Sequence, residues 1–208
     1  MEIVPSIIGQ NFSEIEDKLA VLEGACDWAH LDIMDGRLTK SRSWQVASDL
    51  DFVPGRIKLE AHLMIKDPES VLSEWTRVVD KIIVQAEVVN NLKELLDIFA
   101  NHHTKLSVSL LMETPVDILK PYLDDLKFVH LMSVSEIGFY GQPFNNAVLE
   151  KIKTLRALSP SVNISVDGGI NLNNVKKVFA AGANRVIVGN AIWGEGDPLK
   201  NLEQFKKL

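Results

Sequence analysis

Cysteine is almost missing from this 208-residue chain, and the single Cys26 excludes an intrachain disulfide. Set in Gly24-Ala25-Cys26-Asp27, it reads as a small buried thiol rather than a nucleophile. No apolar run approaches the roughly 20 residues that a membrane-spanning helix needs. There is no dense basic stripe either. The 22 Lys and Arg against 28 Asp and Glu leave a net charge of −6, a balance that argues against a nucleic-acid partner. The opening Met1-Glu2-Ile3-Val4-Pro5 lacks the basic and apolar regions of a signal peptide, so a cytoplasmic location is expected. No Gly-x-Gly-x-x-Gly follows the first apolar segment, which weakens any dinucleotide-binding reading.

What is present is an alternation. Short β-branched segments at Ile3–Ile8, Trp28–Met34, Ile57–Met64, Lys81–Ala86, Leu106–Met112, Phe128–Val134, Asn163–Asp167 and Arg185–Gly189 read as strands. Between them, Ser13–Leu22, Pro68–Val78, Asn91–His102, Pro115–Leu123, Asn145–Leu158 and Asn173–Ala181 carry a helical period. Gly24 and Gly182 sit just past two of these segments, where a helix end turns into the next strand. Eight βα units of roughly 25 residues, with no run of consecutive strands, predict one domain over residues 1–208: an α/β fold, a single (β/α)₈ TIM barrel. The least regular stretch is Gly36–Gly55, where only Trp44–Leu50 looks helical.

Barrels of this kind carry their chemistry at the C-terminal ends of the strands. In His30-Leu31-Asp32-Ile33-Met34, alternation turns His30, Asp32 and Met34 to one face. The next strand puts His62 and Met64 on one face, and Asp167 ends the seventh. Any one of these polar groups alone would be a hydrogen-bonded core residue. Together they form a set that a divalent cation would compensate, and two imidazoles with two carboxylates suit zinc, iron or manganese. His130 shares parity with Met132, and a hydrogen-bonded core role is expected for it.

Glycine-rich turns follow the last three strands: Gly138-Phe139-Tyr140-Gly141, Gly168-Gly169 and Gly189-Asn190. Late loops of a barrel commonly hold a phosphate, and glycines let backbone N–H groups approach an anion closely. A phosphorylated small molecule is the expected ligand.

The motifs Pro5-Ser6-Ile7, His30-Leu31-Asp32-Ile33-Met34-Asp35-Gly36, His62-Leu63-Met64, Met132-Ser133-Val134, Gly138–Gln142, Val166–Ile170 and Val188–Ile192, in that order, resemble the ribulose-phosphate 3-epimerases over nearly the whole chain. The resemblance implies that His30, Asp32, His62 and Asp167 hold one divalent ion (zinc, iron, manganese or cobalt) and that Asp32 and Asp167 are the acid/base pair. It further implies that Ser6 and His62 contact a sugar phosphate and that Met34, Met64 and Met132 line the reacting carbons. Proton transfer at a carbon beside a carbonyl needs no organic cofactor. A homo-oligomer is the expected assembly.

The chain departs from the family pattern in several places. Arg37-Leu38-Thr39-Lys40-Ser41 replaces a Phe-Val-Pro-Asn segment, and Ser135–Gly141 is one residue longer than usual and carries the bulky Tyr140. Gln85 stands for a strand-four histidine, Asn190 for a serine and Gly9-Gln10-Asn11 for Ser-Ala-Asp. Trp44, in the first divergent loop, is placed to touch substrate; Trp75 and Trp193 read as packing or subunit contacts. Rival readings are an epimerase of a six-carbon ketose phosphate such as allulose 6-phosphate and a noncatalytic sugar-phosphate binder. A metal-free decarboxylase-like barrel is disfavoured, because no lysine-rich catalytic set stands at these strand ends.

Overall fold

Strands form at all eight β-branched segments: β1 (Glu2–Ile7), β2 (Trp28–Met34), β3 (Lys58–Met64), β4 (Lys81–Gln85), β5 (Lys105–Leu110), β6 (Phe128–Met132), β7 (Asn163–Asp167) and β8 (Arg185–Val188). They pair in chain order and in parallel, and β8 pairs back onto β1, so the sheet closes into a (β/α)₈ barrel. This computed structural model describes every residue except Pro54 and Arg56.

The helices are α1 (Phe12–Leu22), α2 (Leu72–Trp75), α3 (Leu92–Phe99), α4 (Val148–Leu158), α5 (Val175–Ala180), α6 (Asn190–Trp193) and α7 (Pro198–Lys206). Two start on an asparagine whose side chain accepts an otherwise orphaned N–H: Asn11 from Glu14 and Asn91 from Glu94. None of the helices among the described residues is long and apolar enough to cross a membrane.

Four elements differ from the sequence expectation, the first being the stretch expected to be helical over Trp44–Leu50, which is a 3₁₀ helix at Ala47–Phe52. Residues 115–123 form a 3₁₀ helix, Val116–Tyr122, rather than an α-helix; Pro121 lies inside it, where it would clash with the preceding turn of an α-helix and donates no hydrogen bond. The helix expected over 68–78 is a 3₁₀ turn, Pro68–Ser70, and the short α2, separated by Val71. Helix α7 has no counterpart among the expected segments. Asp197 caps it by accepting from Leu199 and Lys200, Pro198 opens its first turn, and Leu202 and Phe205 anchor it in the core.

Two apolar regions hold the molecule together. The larger packs the outward faces of the strands against the helices, through residues such as Leu31, Ile33, Leu63, Val84, Leu131 and Val166. Trp44 belongs to it: the ring meets Phe12 and Trp75 edge or tilted, and its Nε1 donates to Asp49. It therefore packs in the core and does not line the central cavity. The smaller region, Met34, Met64, Met132, Val134 and Ile137, caps the C-terminal mouth of the barrel.

Candidate active site

Register sets the site. Across β2 and β3, His30 pairs with Glu60, Asp32 with His62 and Met34 with Met64, so each inward residue of one strand meets an inward residue of the next. On the other side, His130 pairs with Ser165 and Met132 with Asp167. Closure brings these two groups face to face. His30 Nε2 lies 3.3 Å from Asp32 Oδ1 and 3.8 Å from Asp167 Oδ2; His62 Nδ1 lies 3.6 Å and 3.9 Å from the same two atoms. The barrel thus unites all four expected residues, and the histidines are wholly buried.

These two imidazole nitrogens have no aligned hydrogen-bond partner. Buried polar atoms are seldom left so, and two orphans aimed at two carboxylates are the donor set of a cation site. A tetrahedral ion with ligands at about 2.1 Å would hold neighbouring ligands about 3.4 Å apart, close to the spacing found. The residues fit a divalent metal. One ligand atom each from His30, His62, His130 and Asp167 also lies within 4.8 Å of the others, so His130 borders the same space.

Behind this layer lies a second one. His30 Nδ1 is 2.8 Å from Glu60 Oε1, and Glu60 Oε2 accepts from Lys81 Nζ at 3.0 Å and Arg185 at 2.6 Å. The Lys81 amine lies 4.6 Å from the Trp28 ring centroid and 4.7 Å from that of Phe128, which shields it below. Burial works against the Glu60 carboxylate, but Arg185, His30 and Lys81 outweigh it and hold it well below the usual range. Burial also opposes a charge on His30; the pull of Asp32 and then Glu60 wins and pushes the imidazole up to about 10. At Asp32 burial is likewise overcome, by His30 and His62, and its carboxyl stays well below the usual range. His130 goes the other way. Burial dominates, its partners compensate little, and it is lowered to about 4. With Nδ1 against Ser165 Oγ at 3.0 Å, it is the hydrogen-bonded core residue expected, and it touches the cluster as well.

A cavity of about 220 Å³ opens above Asp32 and Asp167. Ser6, Met64 and Met132 line it, as do Gly138, Phe139, Tyr140, Gly141, Gly168, Gly169, Gly189 and Asn190 from the late loops. His30 and His62 sit beneath it rather than on its wall. Met34 is the exception among the methionines. It points inward but is wholly covered, with Ser41 Oγ 3.1 Å from its Sδ. The same hydroxyl donates to the Gly138 carbonyl at 2.7 Å, and Lys40 pairs with Glu136 at 2.7 Å. The two loops that depart from the family pattern are therefore in contact, and one supports the other.

Glycine serves space as well as conformation here. Gly168 has φ +111°, and a side chain on it would meet Val134 at 2.6 Å; Gly189 has an ordinary φ, but a Cβ there would lie 2.4 Å from the Tyr140 ring. The Tyr140 hydroxyl is already engaged, donating to the Ser6 carbonyl at 2.8 Å and accepting from the Ile8 N–H at 2.9 Å.

Glu60, Gln85, Lys81, Ser165 and Arg185 surround the site, although the sequence motifs do not single them out as functional. The signal for Glu60 is at hand in the sequence, because the parity that turns His62 inward turns Glu60 inward too. Gln85 also turns inward on the next strand, two residues beyond Ile83, the register partner of His62, with its Nε2 3.0 Å from His62 Nε2.

A closed parallel barrel with a polar cluster and a small cavity at its C-terminal mouth has the layout of a TIM-barrel enzyme. Residues 2–193 match the Ribulose-phosphate 3 epimerase family. The Ribulose-phosphate 3-epimerase of Bacillus subtilis (strain 168) is 29% identical, with 99% of this chain and 98% of the relative aligned. The chloroplastic Ribulose-5-phosphate-3-epimerase of Arabidopsis thaliana is 33% identical over 98% of this chain and 75% of its own length. The chain belongs to the ribulose-phosphate 3-epimerase family, which are isomerases. Among solved structures, 3-hexulose-6-phosphate synthase from Salmonella typhimurium superposes with a TM-score of 0.74 at 15% identity, covering 100% of this chain and 97% of that one. At that identity the likeness speaks for the fold alone.

Proposed function

We propose that this protein interconverts D-ribulose 5-phosphate and D-xylulose 5-phosphate in a metal-dependent reaction. The observation that carries the proposal is the pair of carboxylates, Asp32 and Asp167, standing at the cavity floor on strands from opposite sides of the barrel. Family membership supports the choice of ketose, and the late glycine loops support a phosphate at the other end of the cavity.

Inversion at C3 requires a proton to leave one face and another to arrive on the opposite face. In one direction Asp32 is the ionised partner. It takes the C3 proton as the C–H electron pair moves toward the C2 carbonyl, giving an enediolate. Asp167, in its protonated form, delivers its proton to the other face of C3 and is left ionised; the reverse reaction exchanges the roles. His30, His62, Asp32 and Asp167 would hold the divalent ion, which supplies Lewis-acid stabilisation for the negative charge developing on the substrate oxygens. Met64 and Met132 form an apolar wall that keeps water from the carbanion, and Ser6 offers a hydroxyl to the sugar. The assembly proposed is a cytoplasmic homo-oligomer with no organic cofactor.

The test is isotopic. Metal-loaded protein incubated with D-ribulose 5-phosphate in D₂O should place deuterium at C3 and produce xylulose 5-phosphate, both visible by NMR. A protein that binds the sugar phosphate but leaves C3 unexchanged would be a binder, and the proposal would fall.

A further inference from the structure

We infer that Tyr140 selects substrate by size, its ring forming a fixed wall that admits a five-carbon ketose phosphate and rejects a six-carbon one. The inference rests on the function proposed above and deepens it.

The ring lies on the cavity wall, close enough to Gly189 to leave no room for a side chain there. It is fastened. Its hydroxyl bridges Ser6 and Ile8, so the loop after β6 is bolted to the loop after β1 across the ends of β7 and β8. Turning the ring aside would strip the Ile8 N–H of its partner in a partly buried place and leave the Ser6 carbonyl to Trp193 Nε1 alone, which the fold resists. The far side is filled as well. Lys18 Nζ stands 5.8 Å from the Tyr140 ring centroid and 5.6 Å from that of Trp193, and it donates to the Ile8 carbonyl. At its other end the loop rests on Ser41 through Gly138. The wall is therefore built before any ligand arrives.

Substrate chemistry turns this wall into a filter. C3 must lie between Asp32 and Asp167, and the phosphate must reach the loops after β7 and β8. A pentulose 5-phosphate spans that distance with two carbons beyond C3. A hexulose 6-phosphate has three, and with both ends held, the additional hydroxylated carbon must bulge sideways. A rigid ring at that flank denies it the space. One surplus methylene against a packed wall typically costs about 10–200-fold in selectivity.

The experiment compares kcat/KM for D-ribulose 5-phosphate and D-allulose 6-phosphate in the wild type, Tyr140→Phe, Tyr140→Leu and Tyr140→Ala. The wild type should favour the pentulose. Tyr140→Ala should narrow that preference by about tenfold or more, Tyr140→Leu by less, and Tyr140→Phe, which keeps the ring but loses both bridges, least. An unchanged ratio in both Tyr140→Ala and Tyr140→Leu overturns the inference. If circular dichroism shows that Tyr140→Ala does not fold, the ratio in Tyr140→Leu decides alone. Should the wild type epimerise neither ketose, the proposed function fails. Size selection is then judged separately by calorimetry with unreactive pentitol 5-phosphate and hexitol 6-phosphate, whose affinity ratio must narrow in the same order.

Discussion

Every strand of this barrel has two faces, and they follow different rules. Outward, β2 presents Leu31 and Ile33, β4 Val84, β6 Leu131 and β7 Val166, each buried against helices. Inward, the same strands present His30 and Asp32, Gln85, His130, and Ser165 with Asp167, most of them equally buried. Barrels of this class usually fill their interior with layers of branched aliphatic residues. Here most of that role has passed to the shell between sheet and helices; Val4, Ile83 and Ile187 remain inside, but the rest of the interior is polar, with Glu60, Lys81 and Arg185 below, His30 and His62 above, and the methionine cap at the mouth. Cohesion and chemistry are thus assigned largely to opposite sides of one sheet. Substitutions on the two faces should then fail in different ways.

The sharpest contrast should come from Asp32→Asn and Asp167→Asn. Each keeps the shape of the side chain and removes a proton carrier, so kcat should fall by at least about 10²–10⁴-fold while the folded state persists. The losses should not multiply in the double variant, since either one already stops the inversion. Metal content must be measured beside the rate, because Asn is the poorer ligand. Near-normal turnover in both single variants with the metal retained would remove these residues from the acid/base role.

Glu60→Gln tests whether the lower inward layer serves the upper one. The change leaves Lys81 buried with no ion-pair partner and Arg185 with Glu2 alone, and breaking a buried pair in this way typically costs about 3–5 kcal/mol. It should also loosen His30. The pH signature has a definite sign. A carboxylate depressed in the folded state adds stability that is fully present above its ordinary value of 4.5 and is lost as the pH falls through the folded value. Chemical denaturation of Glu60→Gln should therefore show a flatter acid limb than the wild type. An identical acid limb would mean that Glu60 is not the group whose protonation loosens the barrel.

On the outward face, Leu31→Ala should cost about 2–5 kcal/mol of stability through the cavity it leaves against the helices. Metal content per folded molecule and the preference between ketoses should not move. A variant that lost metal without losing stability would show that the two faces are not separable.

Much of this division is legible in the sequence. The alternation of apolar and polar residues assigns His30, Asp32 and His62 to one face of their strands without knowledge of any neighbour. Parity cannot say what lies across the barrel. Glu60 finds His30 on β2, but its cationic partners Lys81 and Arg185 come from β4 and β8, and the partners of His130 from β7, so both sets depend on strand register and on closure. Depth is equally hidden. Met34 has the right parity, yet Ser41 covers it, because Asp35 and Arg42 bridge and fold the loop back over the strand end. Tyr140 is the extreme case. It bonds to main-chain groups more than 130 positions away, which no local pattern encodes.

The smallest expected effect concerns Gln85, and it bears on the finest point of the comparison. For His62 to offer the Nδ1 lone pair to a cation, its Nε2 must carry the proton and needs an acceptor. The Gln85 amide is the neighbour at 3.0 Å, and its Oε1 is one of the buried atoms without a partner. An amide turned end for end presents that oxygen to the Nε2 proton, which satisfies the oxygen and fixes the His62 tautomer in one movement. Gln85→Leu keeps much of the bulk and removes the acceptor, so metal affinity should fall by about tenfold, near 1.4 kcal/mol. Gln85→Glu retains an acceptor, and a charged one, so affinity should hold or rise. Competition with a chelator of known affinity measures both without reference to turnover. If Gln85→Leu binds metal as tightly as the wild type while Gln85→Glu binds it less well, the glutamine is only filling space beside His62, and the inward face is tuned less finely than its hydrogen bonds suggest.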